Sequence, residues 1–292
     1  IGYEISVSYE QIVWQIRMPR IILGFFAGSG LALCGCVMQA LVQNPMADPY
    51  ILGISAGATL GATSSLFLGL GTISGIWAFL GAGIAYFLVL MLSSADGKTT
   101  SVKLILSGMI INALLTAFSN FIIAITGDAD GIMSIKFWTM GSLTRASWNN
   151  IGVIAVIVVS AILFFVIQAK TLDGLMLGEE VATTIGINTF RCRLIYLLVI
   201  SLLTGILVSI CGTIGFMGLI IPHVARALAG TGHKSLIPIA ALTGGIFMLW
   251  VDAAARSLIP NTELPVGIFT AFIGAPFFVY VVVKKKYGFG GN

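Results

Sequence analysis

Nine apolar runs, near residues 21–43, 51–70, 73–92, 104–126, 150–169, 194–210, 214–229, 236–255 and 264–283, divide the chain. Most are close to the roughly 20 residues that an α-helix needs to cross a bilayer. In hydrocarbon a backbone amide finds no water, so a lone run of this kind closes its hydrogen bonds only as a helix. Composition agrees, with 58% hydrophobic and 9% charged residues, where a soluble domain carries about 25% charged. The expected fold is all-α: a polytopic helical membrane protein whose residues 1–292 form a single transmembrane domain, bathed by lipid. No basic patch interleaved with aromatic residues suggests nucleic acid.

Between the first two runs lies Gln43–Gly61, QNPMADPYILGISAGATLG. Pro45 and Pro49 lack the amide a helix interior needs and push Asn44 and Asp48 toward extended backbone. One helix should therefore stop near Asn44 and another start near Tyr50. Gly53, Gly57 and Gly61 then fall every fourth residue, a bare stripe against which a second helix can pack closely. Gly212, Gly215, Gly218 and Pro222 interrupt the seventh run, which is expected to enter as irregular backbone and finish as a short helix. Gly131–Gly141 reads as a short interfacial helix.

Alternating spans place ten of the fifteen basic residues on one side: Lys98, Lys103, Lys170, Arg191, Arg193, Arg226, Lys234, Lys284, Lys285 and Lys286. Arg17, Arg20, Lys136, Arg145 and Arg256 fall on the other. The positive-inside bias makes the first side cytoplasmic and the C-terminus internal. The N-terminus is then outside, yet Ile1–Ile16 has no basic leader. An additional first helix, missing from this chain, is expected, for ten in all with both ends cytoplasmic.

A shift of 177 residues superposes Gly28, Cys34, Gly35, Pro45 and Gly53 on Gly205, Cys211, Gly212, Pro222 and Gly230. The two segments are an odd number of spans apart, so the echo suggests the inverted repeat on which many transporters are built.

Little in the chain looks catalytic. Asp96-Gly97-Lys98-Thr99 resembles the end of a P-loop, but Leu92 stands where the first glycine belongs. Cys34, Cys36, Cys192 and Cys211 have no metal-ligand spacing, and His223 and His233 have no partners nearby in sequence. No enzyme site, metal or cofactor is expected. Asp252 is the one carboxylate well inside an apolar run. Arg256 follows at i+4 on the same face, so a local ion pair competes with a coupling role of the kind an ion-driven secondary transporter needs. Arg17, Arg20 and Arg256 fit either headgroup anchoring or the docking of an acidic partner. On the internal side, Asp173–Asn188 reads DGLMLGEEVATTIGIN. Gly178 and Gly186 bracket a short helical pattern with Val181 and Ile185 on one face, a plausible plug for a partner's groove.

Taken together, several stretches resemble the permease subunits of the FecCD-type ABC importers, which take up iron chelates, haem and cobalamin. They are Gln15–Arg20, Asn44–Pro49 with Leu52-Gly53, Leu177-Gly178-Glu179, Gly212–Gly218 with Pro222–Arg226, and Glu263–Gly267 with Gly274-Ala275-Pro276, in the family's order. The family has ten helices, so the resemblance likewise implies a first helix that this sequence does not include. The resemblance implies a bacterial or archaeal inner-membrane homodimer with two cytoplasmic ATPase subunits and an extracytoplasmic binding protein. The cargo would be a metal chelate, iron–siderophore first, with haem or cobalamin as alternatives. It assigns Arg17, Arg20 and Arg256 to docking of the binding protein. It assigns Leu177, Gly178, Glu179, Glu180, Ala182, Ile185 and Gly186 to the helix that couples to the ATPase. Asn44, Pro45 and Met46, with Thr100 and Ser101, match the region of the cytoplasmic gate. ATP would drive alternating access, with hydrolysis in the partner subunits.

Overall fold

A computed structural model describes residues 7–70, 74–94, 100–126, 129–259 and 263–284. The Asp96–Thr99 stretch and Lys285 and Lys286 lie outside them. The axis of the molecule is a long helix, exposed in its first turns and buried on almost every side from Ala27 on. It begins with α1 (Val7–Gln11), passes through a π-helical turn (Ile12–Arg17) and continues as α2 (Met18–Val42). The first crossing thus starts well before residue 21. Ile12, Val13, Trp14 and Ile16 extend the apolar run. The widened turn stands directly before Pro19, whose missing amide and bulky ring would break a regular α-helical register. Every residue from Ala27 to Val42 is buried, as expected of a helix that is apolar all round.

Around α2 stand α3 (Ile54–Phe67), α4 (Ser74–Ser93), α5 (Ser101–Thr126), α6 (Ala129–Thr139), α7 (Trp148–Ile167), α8 (Ala169–Met176), α9 (Glu179–Thr184), α10 (Thr189–Cys211), α11 (Met217–Ala229), α12 (His233–Ser257) and α13 (Val266–Lys284). Among the described residues six helices are long and apolar enough to cross a membrane: the one running Tyr9–Val42, then α4, α5, α7, α10 and α12. The expected span at 51–70 is shorter. A 3-10 turn (Pro49–Leu52) precedes α3, whose 14 residues reach about 21 Å. The seventh run behaves as expected: α10 stops at Cys211, Gly212–Phe216 is irregular, and α11 follows with Pro222 inside it.

Glycine sets the tightest crossings. A Cβ on Gly57 would lie 2.3 Å from the Gly81 carbonyl oxygen of α4, and one on Gly61 2.0 Å from that of Trp77. Gly53, the third member of the predicted stripe, does other work. It caps α3 with left-handed backbone (φ 70°) and faces α5. Between α2 and α12 the backbones meet at Gly28 and Gly244, and between α2 and α11 at Gly35 and Gly218. Ser29 Oγ donates to the Ala241 carbonyl at 2.7 Å, and Gln39 Nε2 to that of Gly218 at 3.1 Å. Each such interhelical bond contributes about 0.6 kcal/mol.

The 177-residue echo holds only in part. Gly28 packs α2 on α12, and Gly205 packs α10 on α4 at Ala82. Beyond those glycines the register changes. α2 runs on to Val42 before a long turn, whereas α10 breaks at Gly212. The start of α3 therefore matches that of α11: Gly53 corresponds to Phe216, not to Gly230. Both are left-handed N-caps, with φ 70° and 67°. Pairing of α3 with α4 and α5 parallels that of α11 with α12 and α13. Pro45 and Gly53 therefore match Pro222 and Gly230 in the shifted sequence but not in the structure.

Candidate functional site

At one end of the bundle the Asn44–Met46 turn is held to the segment that contains α8 and α9. Gln43 ends α2 in left-handed backbone, and its Nε2 donates to the Leu175 carbonyl at 2.8 Å. Asn44 Oδ1 accepts from the Met46 amide at 2.8 Å, which closes the turn before Pro49. Beyond Leu177, Gly178 takes positive φ (106°) to turn the chain into α9. Glu179 does not point away as a free acid: its Oε2 lies 3.0 Å from Nη1 of Arg193, whose side chain is buried. Glu180, Val181 and Ile185 are exposed, Ala182 is buried, and Gly186 closes the helix. Asp173 of α8 receives the His233 amide at 3.0 Å, and its Oδ1 lies 2.6 Å from His233 Nδ1 at the start of α12. One network thus joins the turn, α8, α9, α10 and α12. Thr100 and Ser101 stand at the start of α5, where Thr100 Oγ1 accepts from the Lys103 amide. Among the described residues no hydrogen bond joins them to the Asn44 turn.

A second feature was missed in the sequence. Asn112, Thr116 and Asn120 fall every fourth residue on α5, so they share one face of a mostly apolar span. They line a cavity of about 360 Å³ with Ser55 and Thr59 of α3 and Ile132, Ile135 and Lys136 of α6. Asn112 also lines a second cavity, of about 350 Å³, with Asp48, Tyr50, Ile51, Gly215 and Phe216. The two make a groove along α5. Its far end is built from both chain breaks, with the Tyr50 hydroxyl accepting from the Ile214 amide at 3.2 Å. Amides facing lipid would be costly, so such a stripe belongs against a water-filled path or a partner helix. The signal was available as an i, i+4, i+8 repeat of polar residues.

At the opposite end stand the arginines. Arg17 is exposed. Arg20, expected as an exposed docking residue, is 6% exposed. Its Nε lies 2.8 Å from Asp252 Oδ1 and its Nη1 2.8 Å from Glu263 Oε2. The local pair also forms, with Arg256 Nη2 3.0 Å from Asp252 Oδ2. Asp252 is therefore shared by two arginines, in a cluster that joins α2, α12 and the residues before α13. The sequence offered Arg256 as the partner four residues away; Arg20, 232 positions distant, is visible only in three dimensions. Among the described residues no group of three or more histidine, cysteine or acidic side chains could hold a metal.

Comparison with known proteins decides the family. The model of the FecCD transport family matches residues 2–284. The chain belongs to the FecCD transport family. Among its FecCD relatives, the cobalamin import system permease protein BtuC of Halobacterium salinarum is 40% identical, over 98% of this chain and 77% of that protein. The Fe(3+)-citrate import system permease protein YfmD of Bacillus subtilis is 36% identical, over 96% of this chain and 84% of that protein. A solved structure of a metal-chelate type ABC transporter in an inward-facing conformation superposes with a TM-score of 0.88 at 34% identity, covering 97% of this chain and 93% of that one. As a FecCD member the chain is a multi-pass membrane permease of the ABC importer type, a class that works with ATPase and binding-protein partners.

Proposed function

We propose that this FecCD permease passes a metal chelate, iron–siderophore first, through a path lined by the α5 groove. The observation that carries the reading is the Asn112–Thr116–Asn120 stripe beside Asp48, Tyr50 and Phe216. A groove of amides and hydroxyls hydrates an oxygen-rich cargo without binding it tightly, so recognition of the individual chelate resides in a separate binding protein. Relatives that import iron citrate and cobalamin support a chelate, and haem or cobalamin remain alternative cargoes of the same machine.

The working unit is a homodimer of single-domain subunits, with α5 grooves facing across its axis. The Asn44 end is cytoplasmic, together with the C-terminus, in a bacterial or archaeal inner membrane. Two ATPases grip α9 there, and a binding protein docks at the Arg17 end. ATP closes the ATPases and moves α9. The Gln43–Leu175 bond passes that motion from α8 to the Asn44–Met46 turn, which with Thr100 and Ser101 gates the path. The bundle supplies two packings, and ATP supplies the differential contacts that select between them.

Vesicles holding the permease, its ATPase and its binding protein should take up chelate only with ATP inside. Uptake driven by an ion gradient without the ATPase would overturn the reading in favour of a secondary transporter. Substituting Glu179 would remove an acid paired with the buried Arg193 guanidinium and so disturb the fold, so coupling is better tested at exposed positions. Val181→Asp and Ile185→Asp should lower co-purification with the ATPase and abolish ATP-driven uptake, at unchanged thermal stability. Normal uptake in both variants would remove α9 from the coupling role. Charge reversal at exposed Arg17 should weaken binding-protein docking roughly tenfold at low salt and less at high salt; undiminished docking would reject that contact.

A further inference from the structure

We infer that Lys136 makes the groove a charge filter, so that the cargo class is an anionic, oxygen-rich chelate rather than a neutral or cationic one. The inference rests on the proposed path along α5. Lys136 lies on α6, at the end of the groove away from the Asn44 turn. It lines the same cavity as Asn112, Thr116 and Asn120, and among the described residues no carboxylate lines that cavity. Among the described residues Lys136 has no acidic partner. The contrast with its neighbours is sharp. On the same end of the bundle Arg20 and Arg256 are matched by Asp252 and Glu263, which leaves that cluster without net charge.

An ammonium at the mouth of a groove with low-dielectric walls, with no acid among its described neighbours, raises the local concentration of anions and lowers that of cations. The amides and hydroxyls beyond it can donate to carboxylate, catecholate or hydroxamate oxygens without adding charge. The far end differs: the buried Asp48 carboxyl lines the second cavity. Lys136 therefore favours anions on entry, and among the described residues that line the two cavities no second cation would hold them. In a homodimer the effect is doubled, since each subunit brings one Lys136 to the shared path.

The test needs no knowledge of the cargo. In a Cys192→Ser background the remaining native cysteines are buried. Asn120→Cys and Asn112→Cys are then introduced singly into the dimer in vesicles. Each is labelled with an anionic methanethiosulfonate (the ethylsulfonate) and a cationic one (the ethyltrimethylammonium). The anionic-to-cationic rate ratio at Asn120→Cys should fall at least threefold in Lys136→Gln and further in Lys136→Glu. A smaller change is expected at Asn112→Cys, which is farther from α6. An equal ratio with lysine, glutamine and glutamate at 136 would overturn the filter while leaving the groove reading intact. If neither reagent reacts at either cysteine, the groove is not hydrated and the path assignment fails with it.

Discussion

Replacing Gly28 with valine is expected to destroy the packing of α2 on α12 and leave little folded protein. A Cβ there would sit 2.2 Å from the Gly244 carbonyl oxygen and 2.7 Å from Met248 Cβ. Backbone cannot give way as a flexible side chain can, so the two helices must separate. Overpacking a well-filled core ordinarily costs about 1–3 kcal/mol. Here the collision is with backbone at the centre of the bundle, so the loss should reach at least about 3 kcal/mol. Thermal unfolding in detergent checks this, with Gly83→Ala as the control. A Cβ at Gly83 meets nothing within 4 Å, and alanine favours a helix by about 0.5–1 kcal/mol over glycine. A Gly28→Val protein as stable as the parent would mean that α2 and α12 do not cross at these residues.

The second large effect is expected at Asp252. Asp252→Ala removes the buried partner of the Arg20 guanidinium, which among the described residues would keep only Glu263. Glu263 is itself 54% exposed, so the remaining pair is weakened by water. Removing one partner from a buried ion pair costs about 3–5 kcal/mol, because the other charge remains desolvated. Arg20→Ala should cost less, since Asp252 keeps Arg256. Arg17→Ala, on the surface, should change stability by no more than about 0.5 kcal/mol. The three unfolding midpoints therefore separate a residue that holds helices together from one free to meet a partner. Equal, small losses at all three positions would return Arg20 to the docking surface. The same cluster argues against Asp252 as a coupling carboxylate in an ion-driven transporter, because two arginines already neutralise it.

Much of the site region was legible in local patterns. The two prolines and the asparagine of Asn44–Pro49, crowded into six residues, favour a helix stop by local sterics, and the turn forms there. The glycine-bracketed Glu179–Thr184 helix follows from the same local rules, as does the irregular Gly212–Phe216 entry to α11. The polar stripe on α5 was equally local and was overlooked, because its three residues, spread through a helix of 26, hardly change mean hydropathy. The repeat was misread beyond Gly28 and Gly205. Glycine identity marks close approach but not register, and the turns that follow α2 and α10 differ in length.

By itself the sequence determined that the chain is a helical membrane protein, where most helices begin and end, and which family it resembles. Those properties follow from apolar length, from the missing amide of proline and from motif order, all of which act within a few residues. Only the tertiary structure decided how the charged and polar groups are used. It took Arg20 from the surface and buried it between α2 and α12, tied Glu179 to Arg193, and bound Gln43 to Leu175. It also placed both chain breaks at the foot of the α5 groove. The physical reason is that desolvation and charge pairing depend on distance in space, and residues 232 positions apart in the chain acquire that distance only when the helices pack.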